Sequence, residues 1–203
     1  MARIGNAVAS AADRLRASLP GKRPRWVVMD VEGSYPARKP RRKGPSRFLR
    51  LGPASQTLED LERQVDLLLR APWVEGVLFR LTGPRLGLTT ALAMRRQLDR
   101  LRAGGKRVEV LAHGLDNATY LLASGASRIV VPESAELAVN GLSLTASFLG
   151  DALGRHGVRF DKLAIREYKN AGDQLARASM SEAQREQYGA FLDSVTITFT
   201  ASV

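Results

Sequence analysis

An alternation of apolar, strand-like runs with helical patterns constrains the fold of this chain more than any other feature. Trp26–Val31, Val74–Leu81 and Arg107–Ala112 are short apolar runs that predict buried strands. Helical patterns begin at Thr57 and cover Thr89–Arg102 between those runs. Repeated strand–helix–strand units require crossover connections, so the pattern predicts an α/β fold with a mostly parallel sheet covered by helices.

The same alternation continues through the second half of the chain in shorter elements. In chain order the predicted elements are a helix at Asn117–Ser124, a strand at Arg128–Val131, a short strand at Leu137–Val139, a helix at Thr145–His156 and a strand at Val158–Ile165. Ser181 and Gln184 have the spacing of a capping box, which predicts that the last helix begins at Ser181.

Basic residues are concentrated in the first quarter of the chain. Residues 1–50 hold 13 Lys/Arg and 3 Asp/Glu, whereas residues 51–203 hold 18 and 17, within a net charge of +11. We predict an N-terminal amphipathic and basic segment at 1–25, and an α/β domain at 26–203 with a basic, Pro- and Gly-rich loop at 33–53. A basic arm suits anionic lipid or nucleic acid, and equally a solvated loop.

Hydropathy predicts no membrane span in this chain. The longest uncharged run, Leu137–Gly150, is shorter than the roughly 18 apolar residues that a spanning helix needs. Met1–Pro20 lacks the apolar core of a signal peptide. Its apolar residues can instead share one face of a helix, which predicts an amphipathic helix for packing, partner docking or contact with a membrane surface.

The residue inventory excludes several kinds of chemistry. The chain has no cysteine, which rules out disulfides, zinc–thiolate sites and cysteine nucleophiles. It has no phosphate-binding glycine motif and no metal-ligand spacing, so we expect neither cofactor nor metal. Of the two histidines, His113 follows a strand and His156 precedes Gly157, a position typical of a helix cap. The turn Gly83–Gly87 fits an anion-binding loop or a plain tight turn.

Lys169 lies in the stretch Arg166-Glu167-Tyr168-Lys169-Asn170-Ala171-Gly172. A lysine acts as a general base near neutral pH only when its pKa is lowered, and burial beside a reacting hydroxyl has that effect. Most single lysines are solvated surface residues. The residues around Lys169 leave both interpretations open.

Three blocks resemble the signal peptide peptidase A family, also known as protease IV. The blocks, in chain order, are Gly76–Leu81, then Tyr120–Ser124 with Ala126–Pro132, and finally Tyr168–Ala171 with Arg177, Met180-Ser181 and Arg185. Their order and spacing agree with the family over roughly residues 74–195. The third block is the most specific of them.

The resemblance implies a crotonase- or Clp-like stack of strand–helix units and a serine peptidase with a Ser–Lys dyad. It assigns Lys169 as the general base. The family's nucleophilic serine corresponds to Asn117 here, and an amide cannot form an acyl-enzyme. Arg85 and Leu86 lie near the place of the family's oxyanion-type glycines. Long members have two copies, of which the first supplies lysine and the second serine, so this chain resembles a first copy within a longer protein.

The resemblance also implies partners and a location. Expected partners are hydrophobic peptide substrates, a C-terminal domain or neighbouring protomer that carries the serine, and further copies in a homo-oligomer. The protein is expected at a membrane surface or in the cytoplasm, and no nucleic acid is expected. The alternatives are a non-catalytic scaffold homologue, a crotonase-type enzyme acting on acyl thioesters, and a nucleic-acid-binding module. A crotonase would need a glutamate base, and the basic arm lacks interleaved aromatic residues for base stacking.

Overall fold

The computed structural model of the chain describes residues 2–4, 24–38, 56–160 and 172–203. They belong to two compact units, one of residues 1–140 with 202–203 and one of residues 141–201. Each unit is described by itself below. Within the described residues, no helix combines the length and hydropathy needed to cross a membrane.

A five-stranded parallel sheet forms the centre of the first unit. Its strands are β1 (Ala2–Ile4), β2 (Trp26–Gly33), β3 (Gly76–Pro84), β4 (Arg107–Ala112) and β6 (Arg128–Val130), and they lie in that order across the sheet. A second, two-stranded parallel sheet pairs β5 (Gly114–Asp116) with β7 (Glu136–Ala138). The predicted α/β class with a mostly parallel sheet is confirmed.

One face of the large sheet is the core of this unit. Strand register aligns Met29 with Phe79 and Phe79 with Val110, and all three side chains are buried. Arg80, one residue along, is in register with Asp30 and donates to its Oδ1 from Nε at 2.6 Å. Successive residues of a strand point to opposite faces of the sheet. One face is therefore apolar and buried, and the other holds charged side chains such as Arg80 and Asp30.

Three helices cover the apolar face. They are α1 (Leu58–Leu69), α2 (Leu88–Ala103) and α3 (Asn117–Ala123), and α2 packs against both neighbours. Leu61, Val65 and Leu68 recur at helical spacing in α1 and are buried. The Thr57 hydroxyl accepts from the backbone N–H of Asp60 at 3.1 Å, which confirms the predicted start of that helix.

The loop after β2 is fixed at its beginning by a buried tyrosine. The Tyr35 hydroxyl donates to Gln56 Oε1 at 2.7 Å, and burial raises the pKa of the phenol to about 12. Leu58 and Glu59 donate their backbone N–H groups to the carbonyls of residues 36 and 37. The rest of the basic loop predicted at 33–53, from residue 39 on, lies outside the described residues, as does most of the segment predicted at 1–25.

A tryptophan lies across a glycine at the amino end of the sheet. Trp26 is in register with Gly76, and a Cβ added to Gly76 would lie 2.5 Å from the indole ring. Arg107 belongs to β4, the strand next to that of Gly76, and its guanidinium carbon lies 5.1 Å from the centroid of the Trp26 ring. The missing side chain of Gly76 therefore makes room for the indole beneath its cation–π partner.

Gly76→Ala is expected to destabilise the chain by about 1–3 kcal/mol, because the indole must leave its position and lose the Arg107 contact. Chemical denaturation followed by tryptophan fluorescence measures the loss. Gly189→Ala is the control, since a Cβ there meets nothing within 4 Å and the backbone φ is not positive. Equal stabilities for the two variants would contradict the assigned role of the indole.

The regular elements among the described residues of the second unit are helices, and residues 141–149 form none. The helices are α4 (Gly150–Arg155), α5 (Asp173–Ala176) and α6 (Glu182–Ser202), whose last residue is grouped with the first unit. The Ser181 hydroxyl accepts from the backbone N–H of Gln184 at 3.2 Å, so the predicted start of the last helix is confirmed. Gln184 is buried there although it is a polar residue.

Several sequence predictions of local structure were wrong. The helix predicted from residue 145 begins only at Gly150, and Val158–Phe160 are exposed and not a strand; 161–165 lie outside the described residues. Ala2–Ile4 pairs in parallel with β2, although Met1–Pro20 was predicted to be helical. Sheet pairing competes with helical periodicity at such short apolar segments, and periodicity alone cannot decide between them.

Candidate functional site

The carboxyl ends of the parallel strands meet near a cleft in the first unit. Strand β3 ends at Pro84, and β4 leads through His113 into β5 and α3. In parallel α/β sheets, ligands bind outside the carboxyl ends of the strands, so this is the edge at which a site is expected.

The cleft has a volume of about 340 Å³ and mixed walls. Its lining residues are the apolar Leu81, Pro84, Leu115 and Ala138, the polar His113, Asp116, Thr119 and Glu136, and two glycines, Gly83 and Gly114. No Lys or Arg side chain is among these lining residues. Such a size and mixture of walls suit a small organic group or a few residues of an extended peptide.

The start of α3 is held at the cleft by a complete capping box. Asp116 Oδ1 accepts from the Thr119 backbone N–H at 2.7 Å, and Thr119 Oγ1 accepts from the Asp116 N–H at 2.8 Å. The Thr119 hydroxyl also donates to Asp116 Oδ1 at 2.6 Å. This hydroxyl is therefore committed to the helix cap and is not free to act as a nucleophile.

Asn117 is the first residue of α3 and is half-buried. It lies between the two capping-box residues that line the cleft. The resemblance aligns this position with the serine of the family, and the residue itself adjoins the cleft in sequence without lining it. The first turn of a helix presents backbone N–H groups, which would stabilise a developing negative charge if a nucleophile stood there.

The turn Gly83–Gly87 joins β3 to α2 beside the same cleft. Gly83 has φ of 64°, in the left-handed region that glycine adopts without strain. The backbone N–H of Arg85 donates to the carbonyl of Gly33 at 2.7 Å, so it is not available to an anion. Of the two interpretations of this turn, the structure favours the plain tight turn at Arg85.

The two chain segments that flank residues 161–171 are bonded to each other in the second unit. The Leu149 N–H donates to the carbonyl of Gln174 at 2.7 Å, and the Gly150 N–H donates to that of Arg177 at 3.0 Å. A Cβ on Gly150 would lie 2.5 Å from the Arg177 carbonyl oxygen, so only glycine fits. Arg177 belongs to the third block of the resemblance.

Lys169, the predicted general base, lies outside the described residues, and its role stays a prediction. Lys106 was not singled out in the sequence, yet it is buried, and its Nζ donates to the carbonyl oxygens of Ala71 and Val74 at 2.7 and 2.8 Å. It joins the connection between α1 and β3 to the residue that precedes β4, so its role is structural. His156 is the exposed C-cap of α4. No group of His, Cys, Asp and Glu suited to a metal ion occurs among the described residues.

The polar walls of the cleft were not predicted from the sequence. Thr119 falls within the predicted helix, and Asp116 and Glu136 have the pattern of ordinary loop residues, because β5 and β7 have only three residues each and show no clear alternation. The one available sequence pattern was Asp116 followed three residues later by Thr119, a spacing typical of a helix start.

Comparison with known proteins supplies a family. The model of peptidase family S49 matches residues 100–203. The chain is 29% identical over 124 residues to the chloroplastic serine protease SPPA of Arabidopsis thaliana; this match covers 61% of the chain and 18% of the relative. A solved structure of a Pseudomonas aeruginosa protein is similar at 20% identity with a TM-score of 0.31, over 72% of this chain and 76% of that one.

Proposed function

The chain belongs to peptidase family S49, and on that premise we propose that it is the lysine-supplying part of a serine peptidase with a Ser–Lys dyad. One observation supports the assignment of the lysine to this chain and of the serine to another chain segment. On the family resemblance, Asn117 takes the place of the nucleophile next to the cleft, and among the described lining residues the one hydroxyl, that of Thr119, is committed to the helix cap. The nucleophilic serine then belongs to another part of the protein or to a neighbouring protomer.

In the proposed mechanism Lys169 acts as general base. Its neutral amine takes the proton of the serine hydroxyl as the oxygen attacks the peptide carbonyl, and it returns that proton to the leaving amine. An ammonium cannot accept a proton, so the site must lower the pKa of Lys169 by burial or by neighbouring positive charge.

The proposed substrates are hydrophobic peptides in extended form, including remnants of signal peptides. The proposed partners are a C-terminal domain or neighbouring protomer with the serine, and further copies in a homo-oligomer. The basic N-terminal quarter, with 13 Lys/Arg against 3 Asp/Glu, favours contact with an anionic membrane surface.

A non-catalytic scaffold is the second candidate function. Asn117 at the nucleophile position and Arg85-Leu86 near the place of the family's glycines both favour it. A scaffold and a lysine donor differ in one respect: only the donor is needed for turnover once a serine-bearing partner is present.

The 203-residue chain alone is expected to show no peptidase activity, because it supplies no nucleophile. Hydrolysis of an apolar fluorogenic peptide, with and without the serine-bearing segment, measures this. Adding that segment should start turnover, and a fluorophosphonate should label only that segment. Turnover by the chain alone that fluorophosphonate blocks would show that the serine lies within it. Absence of turnover in the complete protein would favour the scaffold.

Asn117→Ala in the complete protein tests whether the residue in the place of the family's serine takes part in catalysis. Turnover should stay within about twofold of the unchanged protein, since an amide performs no acyl transfer. A loss of two orders of magnitude would place Asn117 in the catalytic machinery and contradict the proposal.

A further inference from the structure

A second depression lies at the amino end of the large sheet, where α2 ends and β4 begins. Its volume is about 550 Å³, and its walls include Asp99 and Arg102 of α2, Lys106 and Arg107 at the start of β4, and Ser127. We propose that this basic depression binds a phosphate group, presented either by a soluble molecule or by a lipid headgroup. The inference does not depend on the proposed dyad, because the depression and the cleft lie at opposite ends of the strands.

Positive charge predominates in the basic depression. Arg102, Lys106 and Arg107 line it, against the one carboxylate of Asp99. The Nζ of Lys106 is already bonded to two backbone carbonyls, so most of its hydrogen-bonding capacity is used within the fold. The guanidinium groups of Arg102 and Arg107 are the donors that remain, and a guanidinium presents its N–H groups in a planar fork that matches phosphate oxygens.

Neither arginine has a close carboxylate partner among the described residues. The ion-pair distances are 3.9 Å from Arg102 to Asp99 Oδ1 and 3.9 Å from Arg107 to Glu75 Oε2. Elsewhere in this unit, described arginine–carboxylate hydrogen bonds are as short as 2.6 Å. The two side chains are 46% and 66% exposed, so a ligand can reach them.

The two acids nearest to these arginines are already neutralised by other arginines. Asp99 Oδ2 lies 3.1 Å from a terminal nitrogen of Arg95, and Glu75 Oε1 accepts from Arg25 Nε at 2.6 Å. Two guanidinium groups therefore line one depression without carboxylates to balance them. A concave surface with an excess of one charge attracts ions of the opposite charge, so the depression selects anions.

The other donors of the depression favour a phosphate over a carboxylate. Ser127 is exposed, and its N–H bonds the Val108 carbonyl at 2.7 Å, whereas its hydroxyl makes no hydrogen bond within the described part of the chain. The guanidinium carbon of Arg107 lies 5.1 Å from the Trp26 ring centroid, which restricts that side chain. A phosphate offers three strong acceptor oxygens and nearly two charges to these donors, and a carboxylate offers two oxygens and one charge.

Titration of the 203-residue chain with sodium phosphate tests the proposal. Trp26 contacts Arg107, so its fluorescence reports binding, and Trp73→Phe leaves Trp26 as the one tryptophan of the chain. At about 50 mM NaCl, phosphate should give a saturable change, and sodium acetate at equal ionic strength should bind about tenfold more weakly. Equal affinities for phosphate and acetate would contradict the ligand class. Circular dichroism checks that each variant is folded.

Two variants and a matched control locate the site. Arg102→Gln should weaken phosphate binding about tenfold through the loss of a charge-assisted hydrogen bond. Arg107→Lys keeps the charge but loses the planar fork, so binding should weaken about threefold, whereas a purely electrostatic surface would not change. Arg96→Gln should leave the affinity unchanged, because Arg96 is an exposed arginine of the same helix outside the depression.

Vesicles distinguish the two sources of the phosphate. Cosedimentation compares phosphatidylcholine vesicles with vesicles that also contain about 20% phosphatidic acid, whose phosphate is exposed at the surface. A lipid source predicts that Arg102→Gln weakens binding to the second kind roughly fivefold and that Arg96→Gln does not. A soluble source predicts that phosphate binding alone separates the two variants, since the basic N-terminal quarter attracts anionic lipid in both. If neither probe separates Arg102→Gln from Arg96→Gln, the proposal is wrong.

Discussion

Lys169→Ala in the complete protein should lower peptidase turnover by about 10²–10⁴-fold while the fold stays intact, because the serine loses its general base. Lys169→Arg should be nearly as damaging, since a guanidinium stays charged at any working pH and cannot accept a proton. Initial rates on an apolar fluorogenic peptide, together with thermal unfolding of each variant, measure both effects.

The pH dependence of the unchanged protein provides a second readout. Turnover requires the neutral amine, so it should rise with pH through the lowered pKa of Lys169 and then reach a plateau. Lys162→Ala and Lys162→Arg are the controls, because Lys162 lies in the same stretch of chain outside the family's Tyr-Lys motif. Near-normal turnover by Lys169→Arg would exclude Lys169 as the general base. It would also show that the role of the family's lysine does not apply to this position.

Gly150→Ala should destabilise the second unit by about 2–3 kcal/mol, within the range expected for overpacking. The new Cβ would lie 2.5 Å from the carbonyl oxygen of Arg177, which is backbone and cannot rotate away. The Gly150 N–H bond to that same oxygen would be lost as the segments separate. Hydrogen exchange of the amides in residues 149–155 and 172–177 should report the opening, because local unfolding exposes them.

Gly154→Ala in the same helix is a closely matched control. A Cβ there meets nothing within 4 Å, so alanine should stabilise the chain by about 0.5–1 kcal/mol through its helix propensity. In the complete protein, Gly150→Ala should also lower turnover, because Arg177 lies on the chain segment that follows Lys169. Similar stability changes for the two variants would show that the contact between Gly150 and Arg177 is not what holds these segments together.

The long elements of the first unit could be predicted from the sequence. Strands β2, β3 and β4 are apolar runs of six to nine residues, and α1 has a buried stripe at helical spacing. Such patterns reflect burial on one or both faces, and they can be recognised from the order of residue types along the chain. The family could also be predicted, because its motifs are local in sequence.

The short elements could not be predicted in the same way. Residues 2–4 pair with β2, and residues 114–116 pair with residues 136–138, in strands of three residues each. Too few residues lie in such a strand for its alternation to be distinguished from that of a loop. Their conformation is decided by hydrogen bonds to a partner distant in the chain, which local propensity does not contain.

The sequence by itself determined the fold class and the family, because each depends on residue type or local motif, and it supplied the predictions made for Lys169 and Asn117. Only the tertiary structure revealed the cleft. Its walls come from β3, β5, α3 and β7, and its carboxylates, Asp116 and Glu136, are 20 residues apart in the chain. A cavity arises where separate elements stop short of one another, so its shape and charge depend on packing that no single stretch of sequence encodes.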